Sequence, residues 1–544
     1  MGVAAGNAVG FGKIHYLLGS ALPGFTAFDM QTRHDLKHGF GPAAPESRTA
    51  DIALDPEQFR KMGHDLVDRI AGLLGDIHDR PVAPGETVEQ VREALAAGRP
   101  LPGPGEDPAA LLGRATDLLL NQSLFNGHPR FMGYVTSSPA PLGILGDLLA
   151  SAVNANTGAW ALSPMASEME RQTVQWIGEF IGYPAGGGLM VSGGNMANFV
   201  GFLAALRSRC GQAPRRSGFR NIDRQLTAYC GEGTHTWIQK AADLFGLGTD
   251  HIRWVGTDEL LRMDTKLLVE AIEGDLQAGF EPFLVAGTAG TVSTGAVDPL
   301  GQIAGICRRY GLWFHVDGAY GGFAAALPES DPGLAGIAQA DSVAVDPHKW
   351  LYAPLEAGCV LVRDMVHLSD TFAYHPPYYN FEESVINYVD YGLQNSRGFR
   401  ALKVWLTLQQ LGADGYRRLI REDILLALEA HRLFDAHPEF DALTWSLSIT
   451  TFRFVPADLS GQTEVAKPEA YLNDLNRALL NRVQQEGRFY VSNAVLEGRY
   501  VLRLCIVNFR TSQADMEALP PYLCAAGREL DAVMRPDSLC AGSS

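Results

Sequence analysis

Long apolar runs, paired cysteines and nucleotide-loop motifs are all missing from this 544-residue chain. No stretch of about 18 or more apolar residues occurs, so no membrane-spanning helix is expected. The seven cysteines (Cys210, Cys230, Cys307, Cys359, Cys505, Cys524 and Cys540) are scattered, without a CxxC pair. An odd, dispersed set suits reduced thiols in a cytoplasm better than a disulfide framework or a zinc site, and no metal is expected. Basic residues are scarce, 44 against 61 acidic, giving a net charge of −17. That balance argues against nucleic acid or an anionic membrane as a partner. Neither GxxxxGK[ST] nor GxGxxG occurs, which removes the Walker loop and the dinucleotide fingerprint. Tyr16–Phe25 is apolar but lacks a charged flank and a cleavage site, so no secretory signal is expected there.

What is present describes a globular enzyme-sized chain. Hydrophobic residues make up 46% and charged residues 19%, and 544 residues suffice for two or three domains. The first ~50 residues are Gly/Ala-rich and weakly patterned. Asp55-Pro56 reads as an N-cap with proline at the first helical position, followed by Phe59, Met62, Leu66, Ile70, Leu73 and Ile77 at helical spacing. Arg80–Pro84 breaks that helix. Helices are expected over Val88–Leu95 and Ala109–Gln122, with Gly98–Pro108 as a connector.

From about Arg130 to Leu411, short apolar runs alternate with helical patterns. Strands are expected at Leu189–Val191, Leu226–Tyr229, Phe283–Ala286, Leu312–Val316, Ser342–Val345 and Gly358–Val362, with a helix over Asn195–Arg209. Alternation of this kind predicts an α/β layer with a mostly parallel sheet. Beyond Gly412 a smaller α+β unit is expected: a strand at Trp445–Phe454, a helix over Pro468–Glu486, strands at Arg488–Val491 and Tyr500–Asn508, and a helix over Ala514–Val533.

Two segments carry the chemistry. In Asp341–Asp364, Lys349 sits in a turn between two apolar strands, where burial favours the free amine a Schiff base requires. In Leu312–Gly322 an apolar strand ends at Asp317, followed by small residues that allow close approach to the backbone. Ser192-Gly193-Gly194-Asn195 opens a helix, whose free amides and dipole suit an anion.

These pieces occur together as NGHPRFMGY (Asn126–Tyr134), SPMASEME (Ser163–Glu170), VSGGNMAN (Val191–Asn198), HVDGAYGG (His315–Gly322) and DPHKW (Asp346–Trp350). In that set and order the chain resembles the group II pyridoxal-phosphate-dependent decarboxylases, which include the aromatic amino-acid, histidine and glutamate decarboxylases. The resemblance covers roughly Asp55 to Arg535. It implies a fold-type I enzyme: a large, mostly parallel sheet domain, an N-terminal helical segment and a small C-terminal α+β domain. The boundaries expected are a weakly patterned extension (1–54), a helical dimerisation segment (55–130), the large cofactor domain (131–411), the small domain (412–535) and a tail (536–544). A homodimer acting on a small amino acid is implied.

Residue by residue, the resemblance makes Lys349 the Schiff-base lysine and Asp317 the partner of the pyridine nitrogen. Ala319 lies against one ring face and His235 stacks on the other. Gly194 and Asn195 hold the phosphate, at a place where the family often has serine instead of Asn195. His348 touches the phosphate or the Schiff base, or is a turn histidine bonded to backbone. Thr291 lines the cofactor. Phe372, Pro376 and Tyr378 fit the spacing of a loop whose tyrosine delivers a proton to Cα, with Tyr379 adjacent. Tyr134 and Trp160 are expected at the substrate side chain, where Asn156 and Gly158 replace bulkier groups of the animal aromatic decarboxylases. The expected reaction is decarboxylation of an L-amino acid, most readily an aromatic one. Three rivals remain: an acidic substrate, which needs an arginine such as Arg503 or Arg510; an aromatic aldehyde synthase, which tends to carry phenylalanine in place of the loop tyrosine; and a non-catalytic assembly subunit.

Overall fold

The computed structural model describes residues 50, 52–376, 382, 384–460 and 468–539. The chain divides into two compact units, Met1–Asp65 and Leu66–Ser544. In the first, Asp55 accepts hydrogen bonds from the N–H groups of Glu57 and Gln58 and opens a helix over Pro56–Asp76. This is the proline-led start read from the sequence.

The second unit is built on a seven-stranded sheet: β1 (Gly187–Val191), β2 (Leu226–Gly231), β3 (Ile252–Val255), β4 (Glu281–Thr288), β5 (Trp313–Asp317), β6 (Ser342–Val345) and β7 (Gly358–Val362). Their order is β1-β7-β6-β5-β4-β2-β3. Strands β3, β2, β4, β5 and β6 run parallel, and β7 is antiparallel to both β6 and β1. Both faces are covered. Met190 packs into one core cluster, Leu189 and Val191 into the other, as alternation along a strand requires. The helix Gly194–Cys210 fills the second face with Ala197, Val200, Phe202 and Ala204. Strand β3 was not anticipated. It is four residues at the sheet edge, with Trp254 exposed, and offers no apolar run.

A second sheet, of β8 (Phe440–Ser446), β9 (Ile449–Phe454), β10 (Ser492–Leu496) and β11 (Arg499–Cys505) in the order β10-β11-β9-β8, is antiparallel throughout. Here the strand expected at Trp445–Phe454 is instead a hairpin of β8 and β9. The chain turns at Leu447, with φ of +50°. A turn carried by leucine lacks the Gly or Asn that normally marks one, so the alternating pattern runs straight through it. The strand expected at Arg488–Val491 is irregular chain with one bridge, Phe131 to Tyr490, and β10 begins at Ser492. Helices Glu469–Glu486 and Gln513–Met534 cover this sheet, whose core includes Phe434 stacked on Phe452 with ring centroids 3.7 Å apart. The run Ala401–Asp435 is helical on both sides of Gly412, which breaks it with φ of +64°.

Candidate active site

In a parallel sheet, ligands meet the loops at the carboxyl ends of the strands. Five such ends converge here, because β1 points the same way as β6 through its two antiparallel steps. After β1 comes Ser192–Asn195, after β2 His235, after β4 Thr291, at the end of β5 Asp317, and after β6 Asp346–Lys349.

The turn after β6 is tightly bonded. Lys349 N–H donates to Asp346 O at 2.9 Å and Tyr352 N–H to Lys349 O at 3.0 Å. Lys349 Nζ forms an ion pair with Asp346 Oδ2 at 2.9 Å, and His348 Nε2 lies 3.6 Å from the same oxygen. His348 Nδ1 bonds the backbone of Ala357 at 2.7 Å, and its carbonyl accepts the Ser137 hydroxyl at 2.7 Å. Burial lowers the His348 imidazole pKa, against the opposing pull of Asp346. His348 is thus bonded to backbone through Nδ1, with Nε2 left toward Asp346.

Asp346 and Ala319 press against the start of the helix Gly194–Cys210. A Cβ on Gly194 would lie 2.7 Å from both Ala319 Cβ and Asp346 Oδ2, so only glycine lets this corner close. No side chain caps the helix start. Two buried polar atoms at this corner, Asn195 Oδ1 and Asp346 Oδ1, have no hydrogen-bond partner among the described residues. Asp317 is buried and its Oδ1 accepts the Ala319 N–H at 3.2 Å. His235 is exposed and accepts the Trp237 N–H on Nδ1 at 3.3 Å. Desolvation by surrounding protein lowers its pKa; the Asp317 carboxylate opposes and Lys349 reinforces that shift, the field expected with both groups nearby. Thr291 is buried beside this loop, bonding Thr294 through its hydroxyl at 2.9 Å.

Comparison with known proteins decides the family. The model of the pyridoxal-dependent decarboxylase conserved domain matches residues 99–454. The chain belongs to the pyridoxal-dependent decarboxylase family. An aromatic-L-amino-acid decarboxylase of Bacillus atrophaeus is 32% identical over 488 residues, covering 88% of this chain and 98% of the relative. A phenylacetaldehyde synthase of a Rosa hybrid cultivar is 30% identical, over 84% of this chain and 91% of the relative. The crystal structure of Oryza sativa TDC with PLP and tryptamine superposes with a TM-score of 0.81 at 27% identity, covering 88% of this chain and 100% of that one.

The corner between Gly194, Asn195 and Asp346 fits this family's cofactor, pyridoxal phosphate. The uncapped amides of the helix start suit a phosphate, and the Asn195 amide, turned over, would present its Nδ2 to one, whereas Asp346 Oδ1 is an acceptor that suits a donor instead. The decarboxylase thus brings Lys349, His348, Asp317, Ala319, Gly194, Asn195, His235 and Thr291 to the carboxyl end of the sheet.

The expected substrate residues are held by contacts of their own. Tyr134 has φ of +51° and stacks obliquely near Tyr490, with ring centroids 6.2 Å apart. Trp160 is half-buried; its Nε1 donates to Glu168 at 3.2 Å, and its N–H donates to Asn387 Oδ1 at 3.1 Å. Asn156 and Gly158 have backbone duties. Asn156 Oδ1 accepts from the N–H groups of Gly158 and Arg397, and a Cβ on Gly158 would lie 2.1 Å from Asn395 O. Phe372 closes the helix Val366–Phe372 and Pro376 follows in irregular chain, while Tyr378 and Tyr379 lie outside the described residues. Arg510 donates to Ser138. Arg503 is buried; its Nη1 donates to Tyr134 O at 3.2 Å and Ser492 Oγ at 3.0 Å, while Nε and Nη2 have no partner among the described residues.

Sequence reasoning quoted Asp346 inside its motif without giving it a task, although its spacing of three from Lys349 in a turn is a signal for contact. It also missed the buried pair Arg397–Glu170, which no local pattern announces.

Proposed function

We propose that this decarboxylase converts an aromatic L-amino acid to its amine and CO2, with Lys349 as the Schiff-base lysine. The observation carrying this reading is the convergence of Lys349, Asp317 and His235 beside the uncapped helix start at Gly194. When bound, pyridoxal phosphate supplies an electron sink for the pair left as the α-carboxyl departs. Asp317 holds a proton at the ring nitrogen, which keeps that sink effective. Ala319 and His235 would shield the bound cofactor from water, and Thr291 backs the His235 loop. Gly194 and Asn195 bind the phosphate. His348 is held by Ala357 so that Nε2 stays beside Asp346 and Lys349. Tyr378 gives its phenolic proton to Cα, a role that rests on the sequence resemblance.

Tyr134 and Trp160 flank the substrate side chain. The two unpaired donors of Arg503, next to Tyr134, call for an anion, and the α-carboxylate common to all amino acids supplies one. That arginine therefore does not by itself select an acidic side chain.

Two copies are proposed to form the working unit. The helix Pro141–Val153 leaves Leu145, Leu148, Leu149 and Val153 exposed, followed by exposed Leu162 and Met165. An apolar patch of this kind favours cover by a second subunit. The domain boundaries at residues 54, 130, 411 and 535 are kept as proposed, and the left-handed Gly412 is a natural junction. A cytoplasmic location is supported by six described cysteines, all unpaired, and by the absence of any helix long and apolar enough to cross a membrane among the described residues.

The test is product analysis with tyrosine, dopa, tryptophan, phenylalanine, histidine, glutamate and aspartate, counting amine and CO2. Equal amounts of aromatic amine and CO2 are expected. Turnover confined to glutamate or aspartate would replace the substrate class, and aldehyde with ammonia would make it a synthase. Tyr378→Phe should slow amine formation by about 10²–10⁴-fold, the usual cost of a lost general acid. Unchanged amine turnover would move the role to Tyr379.

A further inference from the structure

Behind the Lys349 turn lies a carboxylate that the reaction does not use. Asp423, on the helical run Ala401–Asp435, is buried with 2% of its surface exposed. Its Oδ2 accepts the Trp350 indole N–H at 3.0 Å and the Tyr352 hydroxyl at 2.8 Å, and its Oδ1 accepts the Asn508 N–H at 3.4 Å. No lysine or arginine pairs with it among the described residues. Burial raises its carboxyl to about 7, and the hydrogen bonds from Tyr352, Trp350 and Asn508 oppose that shift.

The two side chains it grips flank the lysine. Tyr352 reverses the chain with φ of +52°, and its N–H closes the turn onto Lys349 O at 3.0 Å. A bulky residue in this left-handed region carries a cost of roughly 1–2 kcal/mol and persists only where its surroundings over-determine it. Those surroundings are the Asp423 bond, the Tyr416 ring (centroids 6.4 Å apart), the edge of Phe509 (5.4 Å) and the Ala140 N–H on its carbonyl (2.8 Å). Trp350 stacks on Tyr320, centroids 4.9 Å apart, three residues beyond Asp317. One carboxylate oxygen thus ties the lysine turn to the segment that carries the ring-nitrogen partner.

We propose that Asp423 is a positioning residue for Lys349: by gripping Trp350 and Tyr352 it fixes where Nζ stands in the cleft relative to Asp317. The inference rests on Lys349 being the Schiff-base lysine. Asp423 touches neither cofactor nor substrate, so it acts through the turn alone.

The experiment compares holoenzyme carrying Asp423→Ala, Asp423→Asn, Tyr352→Phe or Trp350→Phe. For each, kcat and KM are measured, with the pH titration of the visible absorption band, the rate at which apo-protein takes up pyridoxal phosphate, and the apo-protein Tm. Asp423→Ala should lower kcat by about 10²-fold, the cost of roughly an ångström of misplacement. KM should stay within about threefold, since Asp423 makes no substrate contact. The titration midpoint should move, and uptake of the cofactor should slow. Tyr352→Phe should shift the midpoint in the same direction by less. Asp423→Asn, which keeps an acceptor oxygen, should recover part of the loss.

If Asp423→Ala does not fold, Tyr352→Phe and Trp350→Phe decide, because each removes one donor and leaves the Asp423 carboxylate its other two. A wild-type titration and kcat in these variants would overturn the proposal. So would a loss of activity that follows the fall in Tm while the folded fraction titrates normally. Borohydride reduction with peptide mapping accompanies each variant. Label on a lysine other than Lys349 in the wild type would overturn the underlying reading, whereas label on Lys349 with unmoved titration and kinetics would overturn only this inference.

Discussion

Two buried arginines of this protein live under opposite conditions. Arg397 is saturated: its guanidinium meets the Glu170 carboxylate, Thr157 O at 3.2 Å and the Met190 carbonyl at 2.6 Å, with the Tyr388 ring 4.6 Å away. Glu170 also accepts the Met190 N–H at 2.9 Å, so the pair clamps β1, the strand that delivers Gly194 and Asn195. Arg503 has two neutral acceptors, and no ion pair to it forms among the described residues. Buried charge is stable when paired and hydrogen-bonded. Arg397 is therefore a clamp on β1, whereas Arg503 keeps donors without an acceptor among the described residues.

The strongest way to break this contrast is Arg397→Met. It strands Glu170 without its charge partner and should cost about 3–5 kcal/mol of stability, read by urea unfolding. The double variant with Glu170→Met should regain much of that loss. A single variant with wild-type stability would remove the clamp from the account.

Arg503→Gln should act on the other side. The loss of a charge-assisted contact, about 1.5–3 kcal/mol, predicts a fall in kcat/KM of roughly 10–100-fold with little change in Tm. Severe destabilisation with normal kcat/KM would make Arg503 a structural residue like Arg397.

An effect confined to acid pH sharpens the paired class. His315 is fully buried, bonding Ser342 Oγ at 2.8 Å and Asn198 Oδ1 at 2.7 Å, with its pKa lowered by burial to about 4. Above about pH 6.5 the ring is neutral in both folded and unfolded chain and its contribution is complete. As pH falls from there toward 4, the unfolded chain takes up the proton first, and stability drops by up to roughly 3 kcal/mol. His315→Gln should flatten that part of the stability–pH curve. An identical slope in the variant would reject the assignment.

The same contrast explains what the sequence could reveal. Asp317 and Lys349 were legible because each sits where an apolar strand gives way to small or polar residues, a local pattern. The parallel sheet was legible from alternation. Arg397 and Glu170 were not, since their pairing joins chain segments 227 residues apart without any periodic trace. Asp423 was hidden for the same reason, as one acid on a helix of mixed character. Asn156 and Gly158 were read as features of the substrate pocket because side-chain size is visible in a sequence, whereas the approach of the Asn395 carbonyl is not. The hairpin at Leu447 escaped because its turn residue is apolar.

The central claim is that Lys349 carries the cofactor, and one measurement meets it directly. The yellow holoenzyme is reduced with borohydride, digested and mapped by mass spectrometry. The account predicts a single pyridoxyl adduct on Lys349, absent from Lys349→Ala. An adduct on a different lysine, or a reducible linkage that survives in Lys349→Ala, would contradict it.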